Sequence, residues 1–357
     1  MPIIKCFSEF PLYIDSFSPF PVGILKEGKW KSFIQRNGFV SLARKLYLKV
    51  FTQIPDAQNL WQQYAPDFSV FDLWDTRLSF YEGLKFDPYF LTIIKEVNGK
   101  QNILGTLPLW LDLDKKPPQY RFFGSNWPED NTFFVKDPDI IPLLLIAAPS
   151  PLKICCIKQT PDIDFLRDLK GYGKEDEPKY FLNLENFNNL EDFLAILKKK
   201  KRYNLKRDHK KISHFNPQVL FDDPKHLEIL FNLNIRRFKD GKDASPDNRS
   251  NFEDERWKEV HRKLVTNAGA YQTRLISTVI NGRVEAVELA LIYNKTYYAL
   301  NSGANTFQYS GLGVFSNLLL IKDAIDQGCT KIDFLEGSNH WKESWHLSTE
   351  WQYMFEK

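Results

Sequence analysis

Two stretches of the chain spell the same plan. YFLTIIKEVNGKQNILGTLPLWLDL, from Tyr89, is an apolar run, an Asn98-Gly99 pair and a second apolar run. YQTRLISTVINGRVEAVELALIYNKTYYALN, from Tyr271, repeats it around Asn281-Gly282 and adds a third run after Asn294-Lys295. Asn-Gly signals a two-residue hairpin, because both central positions of its turn need positive φ. Leu107-Pro108-Leu109 in the first copy stands where Leu289-Ala290-Leu291 stands in the second. Each copy is preceded by helical sequence, so the chain reads as a duplicated α/β unit. Its 357 residues suit two domains of ordinary size.

GYGKEDEPKY, from Gly171, combines glycine, proline and charge as a linker does, which divides the chain into domains 1–175 and 176–357. After it, Asn188 or Asn189 is placed to cap one long helix through LEDFLAILKKKKRYNLKRDHKK. Two more helices are expected from His226 and from Phe252, with a Gly/Asp/Ser/Pro-rich loop at 240–251 between them. IIPLLLIAAP, from Ile140, is too short to span a bilayer and reads as a buried helix or strand pair. The N-terminus lacks the basic start and unbroken apolar core of a signal peptide.

Lys and Arg number 48 against 45 Asp and Glu, a net +3 that does not by itself indicate a nucleic-acid protein. Cys6, Cys155, Cys156 and Cys329 have no CxxC spacing, and the six histidines are scattered. No disulfide framework or metal site is expected, and a reducing cytoplasm fits best.

The segment QYSGLGVFSNLLL, from Gln308, places a glycine-rich turn between a strand and a helix. Val314, Leu318, Ile321 and Ile325 give that helix one buried face, and Gly328 stops it at Gln327. Small residues let backbone amides approach a ligand, and the bare N–H groups of a helix start favour an anion such as a pyrophosphate. The pattern lacks the Gly-Lys-Ser/Thr of a Walker loop and the third glycine of a dinucleotide fingerprint.

The Q-x-x-G-x-G spacing of Gln308 to Gly313, after a β-meander and before a helix, resembles the pyrophosphate loop of the GNAT acetyltransferase superfamily. DFLAILKKKKRYNLKRDHKKI looks like the basic helix of its FemAB-like and CelD-like branch, and IDFLEGSNHWKESW is similar to that branch's terminal motif, with Trp341 in place of the usual ring. Gly105 to Leu109 and RFFGSNWPEDNTFFV match the branch's first half. There Asp130 is kept, while Glu129 and Asn131 replace the tyrosine. The resemblance covers roughly residues 60 to 350. It implies two tandem GNAT-like domains of α/β (α+β) class, each with a mixed, mostly antiparallel sheet flanked by helices. It also implies acyl-CoA held by Gln308, Tyr309, Ser310, Gly311, Leu312, Gly313 and Val314.

N-acyl transfer needs a neutral amine, a stabilised oxyanion and a proton for the leaving thiolate, with no nucleophilic side chain. Accordingly there is no G-x-S-x-G and no H-E-x-x-H. On the resemblance, amides of about Ala299 to Ser302 meet the oxyanion where the third meander strand parts from its neighbour. Glu285 and Glu288 face opposite sides of the middle strand, and Glu288, between apolar neighbours, is the preferred base. Glu336, at a strand's carboxyl edge, is an alternative. Tyr298, beside Tyr297, is a candidate acid for the thiolate. Lys342, flanked by Trp341 and Trp345, is assigned by the resemblance to developing negative charge near the acyl group.

Residues 198–211 carry nine Lys/Arg against one acid, Asp208. A solvated face is the ordinary reading of such a run, and phosphate binding is the next. Arg202 and Arg207, with Asp130 and Trp341, are the candidate substrate contacts. The expected reaction moves an acyl group other than an aminoacyl group from acyl-CoA to an amine, an amino sugar or a cell-envelope precursor. An aminoacyl-tRNA-dependent transferase of FemAB type is the enzymatic alternative, with tRNA the less favoured partner. A non-catalytic nucleic-acid or glycan binding module is the third reading.

Overall fold

A computed structural model describes residues 18–357, apart from 21, 27–30, 125–126, 170, 241–248 and 338–339. Cys6, the N-terminal leader reading and most of the loop expected at 240–251 lie outside the described residues. The first half carries strands β1 (Ser18–Pro19), β2 (Leu46–Phe51), β3 (Asp87–Val97), β4 (Lys100–Asp112), β5 (Gln119–Phe122) and β6 (Phe134–Val135). Further along come β7 (Lys153–Lys158), β8 (Gly173–Glu175) and β9 (Lys179–Asn183). The second half adds β10 (Gln218–Phe221), β11 (Gln272–Ile280), β12 (Arg283–Tyr293) and β13 (Thr296–Ala304). It ends with β14 (Lys331–Glu336), β15 (Ser348–Glu350) and β16 (Gln352–Glu356).

The hairpins form where the Asn-Gly pairs stand. Asn98, Gly99, Asn281 and Gly282 all have positive φ, between 51° and 73°, and Asn294 and Lys295 make the third such turn. Strands β1 to β5 lie in numerical order, with β6 on β4, and the second sheet runs β10-β11-β12-β13-β14-β9-β15. Both sheets are mostly antiparallel; within the second, β13 and β14 are parallel.

The last strand of the chain returns to the first half. β9 opens the second half and lies between β14 and β15 of its sheet, while β16, the last strand of the chain, lies between β7 and β8 of the first half. The chain passes between sheets at 176–178, within the stretch expected to be a linker, whose other residues form β8 and the start of β9, and residues 352–356 cross back. A hydrophobic core runs through both halves, and the rings of Phe71 and Tyr298 meet in it at 5.7 Å.

The helices follow the sequence pattern with one correction. Asn189 Oδ1 accepts from the amides of Glu191 and Asp192, as a cap should. The expected long helix is nevertheless two, Leu190–Ile196 and Lys199–Ser213, because Leu197 and Lys198 are extended. The turn keeps Leu197 buried while the lysine run starts a new axis. IIPLLLIA is a helix, Ile140–Ala147, with every residue buried. Among the described residues no helix is long and apolar enough to cross a membrane.

Helix Trp74–Leu84 of the first half crosses helix Glu255–Thr266 of the second at Gly83. A Cβ there would stand 2.4 Å from Val260 Cγ2 and 2.8 Å from the Arg256 carbonyl oxygen. Gly83→Ala should therefore cost about 1–3 kcal/mol in urea unfolding. A wild-type midpoint would show that the helices slide apart freely.

Candidate functional site

The site begins where two neighbouring strands separate. β13 and β14 pair only over Thr296–Tyr298 and Lys331–Asp333. Past that point Leu335 adopts φ 61°, and the β14 register against β9 slips between Asp333 and Glu336. On the other strand the pairing with β12 skips Leu300, a bulge that turns the edge. Between the parted strands lies a cavity of about 520 Å³. Ala299 to Ser302 line one wall and Phe334 to Gly337 the other.

Kinking a strand end strips its carbonyls of partners, and Lys342 supplies them. Its Nζ donates to the carbonyl oxygens of Phe334 (2.8 Å), Leu335 (3.0 Å) and Glu336 (2.7 Å). Burial pushes the ammonium down to about 8, against the pull of Glu129, Asp333 and Glu336. With three hydrogens engaged, Lys342 fixes the kinked β14 edge and has none left for an oxyanion. Trp341 lines the cavity, packed edge-on against Phe334 and Trp345.

Three carboxyls reach the cavity. Glu288, opposite Ser302 in the ladder, is buried and its carboxyl is pushed up to about 8 by desolvation, with Arg237 opposing. Glu285, three residues earlier, faces elsewhere and accepts from Asn305 Nδ2 at 2.8 Å. Glu336 is half-buried; its Oε2 accepts from the Cys156 thiol at 3.1 Å, and burial raises its pKa. Glu129 comes from the first half and is 1% exposed.

Beneath the site is an ionic hub that joins the halves. Lys179 Nζ, on β9, lies 2.6 Å from Asp130, 2.7 Å from Asp333 and 3.9 Å from Glu129. Burial opposes both charges, yet Lys179 is held well above its ordinary value and Asp130 below its own by their pairing. Asp130 is thus spent on Lys179 and is absent from the cavity lining, which corrects its place as a substrate contact.

Arg202 and Arg207 are also displaced from the expected role. Arg202 donates to the Ala195 carbonyl, and Arg207 lies exposed against Asp208; neither lines the cavity. Tyr298 sits in the shared core instead of on the cavity wall, so its hydroxyl is no acid for a group bound there. Tyr297 donates to Asp323 at 3.0 Å.

The glycine loop caps helix Leu312–Asp326, with Gly311 at φ 98° as its N-cap. Tyr309 and Leu312 are buried anchors, Tyr309 against Phe215; Gln308 is exposed and bonded to Asn305. Among the described residues the amides of Ser310, Gly311, Gly313 and Val314 have no acceptor, so a cradle of N–H groups is open. The loop lies outside the cavity lining, but its helix enters that lining at Asn317, about 6 Å further along the axis from Gly313.

The sequence missed Glu129, Lys179 and Asn234. Asn234 Nδ2 donates to the Ser302 carbonyl at 2.8 Å, tying helix His226–Asp240 to the cavity wall. A polar Asn on the apolar side of that helix was the available signal.

A parted parallel strand pair stands beside a helix start with open amides, in a chain whose two main sheets are both mostly antiparallel. Residues 199–343 match the acetyltransferase (GNAT) domain family model. In fold it is similar to FemX, at TM-score 0.54 and 12% identity over 87% of this chain and 97% of that one. It is also similar to a conserved protein of unknown function from Bacteroides thetaiotaomicron VPI-5482, at TM-score 0.51 and 14% identity over 87% and 100% of the two chains. No curated protein matches by sequence.

Proposed function

We propose that the protein is an N-acyltransferase that moves an acyl group from coenzyme A to an amine bound between the two halves, by direct attack. The observation that carries this is the separation of β13 and β14 after three paired residues, opening a buried cavity between their edges. The open amides at Ser310 to Val314 fit a diphosphate. A thioester supplies the activated carbonyl. Glu288 takes the amine's proton in a desolvated wall, with Glu336 as the second carboxyl within the site. Lys342 positions the β14 edge. The acceptor is an amino sugar or an envelope precursor, and the setting is cytoplasmic.

An aminoacyl donor is the second reading, favoured by the exposed basic helix Lys199–Ser213 and the likeness to FemX. Thermal unfolding with acyl-CoA or with aminoacyl-tRNA separates them, since a donor at a hundred times its Kd adds about 2.7 kcal/mol. Stabilisation by aminoacyl-tRNA alone would overturn the coenzyme A assignment. Binding without turnover of either donor would leave a binding module.

The cradle has its own test. A side chain at Gly311 is strained by φ 98° and by Asp208 oxygen at 3.1 Å, whatever binds there. At Gly313 a Cβ meets only Thr306 Cγ2 at 3.8 Å. Gly313→Val should therefore fold normally yet weaken acetyl-CoA roughly tenfold or more in calorimetry, about 1.4 kcal/mol. Unchanged affinity would remove the diphosphate from this turn.

A further inference from the structure

We propose that Glu129, supplied by the first half, makes the buried wall of the cavity an ammonium subsite that receives the cationic end of the amine acceptor. This rests on the acyl-transfer reading for the word acceptor; the subsite itself rests on geometry. Glu129 is a cavity-lining side chain at 1% exposure. Its Oε1 accepts the Glu336 amide at 2.5 Å, whereas its buried Oε2 has no hydrogen-bond partner. A buried carboxyl oxygen without a hydrogen-bond partner costs stability, and in a side chain that lines a cavity a ligand completes it once the carboxyl turns toward that cavity.

The surrounding charges decide the ligand's sign. Lys179 is 3.9 Å from Oε2, beyond hydrogen-bond reach, and its short contacts go to Asp130 and Asp333. Lys342 is turned onto three carbonyls. Glu288 and Glu336 add two more carboxyls to the same cavity. Arg237 and Arg249 enter it from the helix His226–Asp240 side, beside Asn251 and Phe252, leaving the wall at Glu129 acid-rich. Once its carboxyls give up their protons, an ammonium is the complement of such a wall.

Burial, with Asp333 and Asp130 nearby, holds the Glu129 carboxyl well above its ordinary value in spite of Lys179. An ammonium arriving at Oε2 then displaces the carboxyl proton to solvent, leaving a carboxylate paired with the cation. The proton so displaced balances the charge of the cation, and no covalent bond to carbon, nitrogen or sulfur changes.

The test uses the full chain with n-butylammonium chloride and its uncharged analogue n-butanol, at matched ionic strength. Binding is read from the fluorescence of Trp127 and Trp341, which line the cavity, and from calorimetry in buffers of different ionisation heat. The wild type should prefer the cation by about tenfold or more, as a hydrogen bond to a charged group implies, and should release protons on binding. Glu129→Gln should lose the preference, and Glu129→Asp should keep part of it. No cation preference in the wild type, no proton release, or an unchanged preference in Glu129→Gln overturns the proposal. If Glu129→Gln fails to fold, the wild-type proton release and Glu129→Asp decide. Acetyl-CoA binding is followed in parallel: its failure with the cation preference intact would sink the acyl-transfer reading and leave the subsite standing.

Discussion

Lys179→Met should lower the stability of the whole chain by about 3–5 kcal/mol, measured by denaturant unfolding. The side chain is 3% exposed and holds Asp130 of the first half and Asp333 of the second at 2.6 and 2.7 Å. Methionine fills much of the space but leaves two carboxylates facing each other without a counter-charge. The loss belongs to those uncompensated charges. Adding Asp130→Asn and Asp333→Asn to Lys179→Met should therefore restore much of the stability. The single variant should also suffer less at acid pH, where its buried carboxyls hold protons, and more as pH rises. A wild-type unfolding midpoint would show that the hub does not join the halves energetically.

Glu288→Gln should depress turnover by about 10²- to 10⁴-fold, the usual contribution of a general base. In the wild type the carboxyl is pushed up to about 8. A base works when deprotonated, so kcat/KM should rise with pH and level off above about 8, and the variant should lack that rise. The effect on stability has the opposite sign. The folded carboxyl keeps its proton up to about 8, whereas the unfolded one releases it near 4.5. Between those values Glu288 makes the folded state lose stability as pH rises. Glu288→Gln should thus be the more stable protein at pH 8 and the poorer catalyst. Full turnover in Glu288→Gln would pass the base role to Glu336.

What could be read from the sequence was local. Asn98-Gly99 and Asn281-Gly282 fix their hairpins because the turn needs both residues at positive φ, whatever surrounds them. The period of Val314, Leu318, Ile321 and Ile325 similarly fixes a helix. Glu288 was distinguishable from Glu285 because alternation along a strand puts them on opposite faces. The break at Leu197 and Lys198 was hidden, because Leu194 and Leu197 are also spaced as a helix would space them. Charge density in 198–211 foretold a solvated helix but not where its arginines point. Lys179 and Glu129 meet across 50 residues of chain, and no periodicity encodes that pairing.

The strand that the chain's end lends to the first half constrains how such a chain reaches its native state during synthesis. β7 and β8 must wait for residues 352–356 to leave the ribosome before the strand between them arrives. Until then the earlier-made half exposes unpaired edges that would accept any extended segment, including one from a neighbouring nascent chain. The two units therefore mature together, and a gene split at the linker would leave β7 and β8 without the strand between them until the second fragment finds the first.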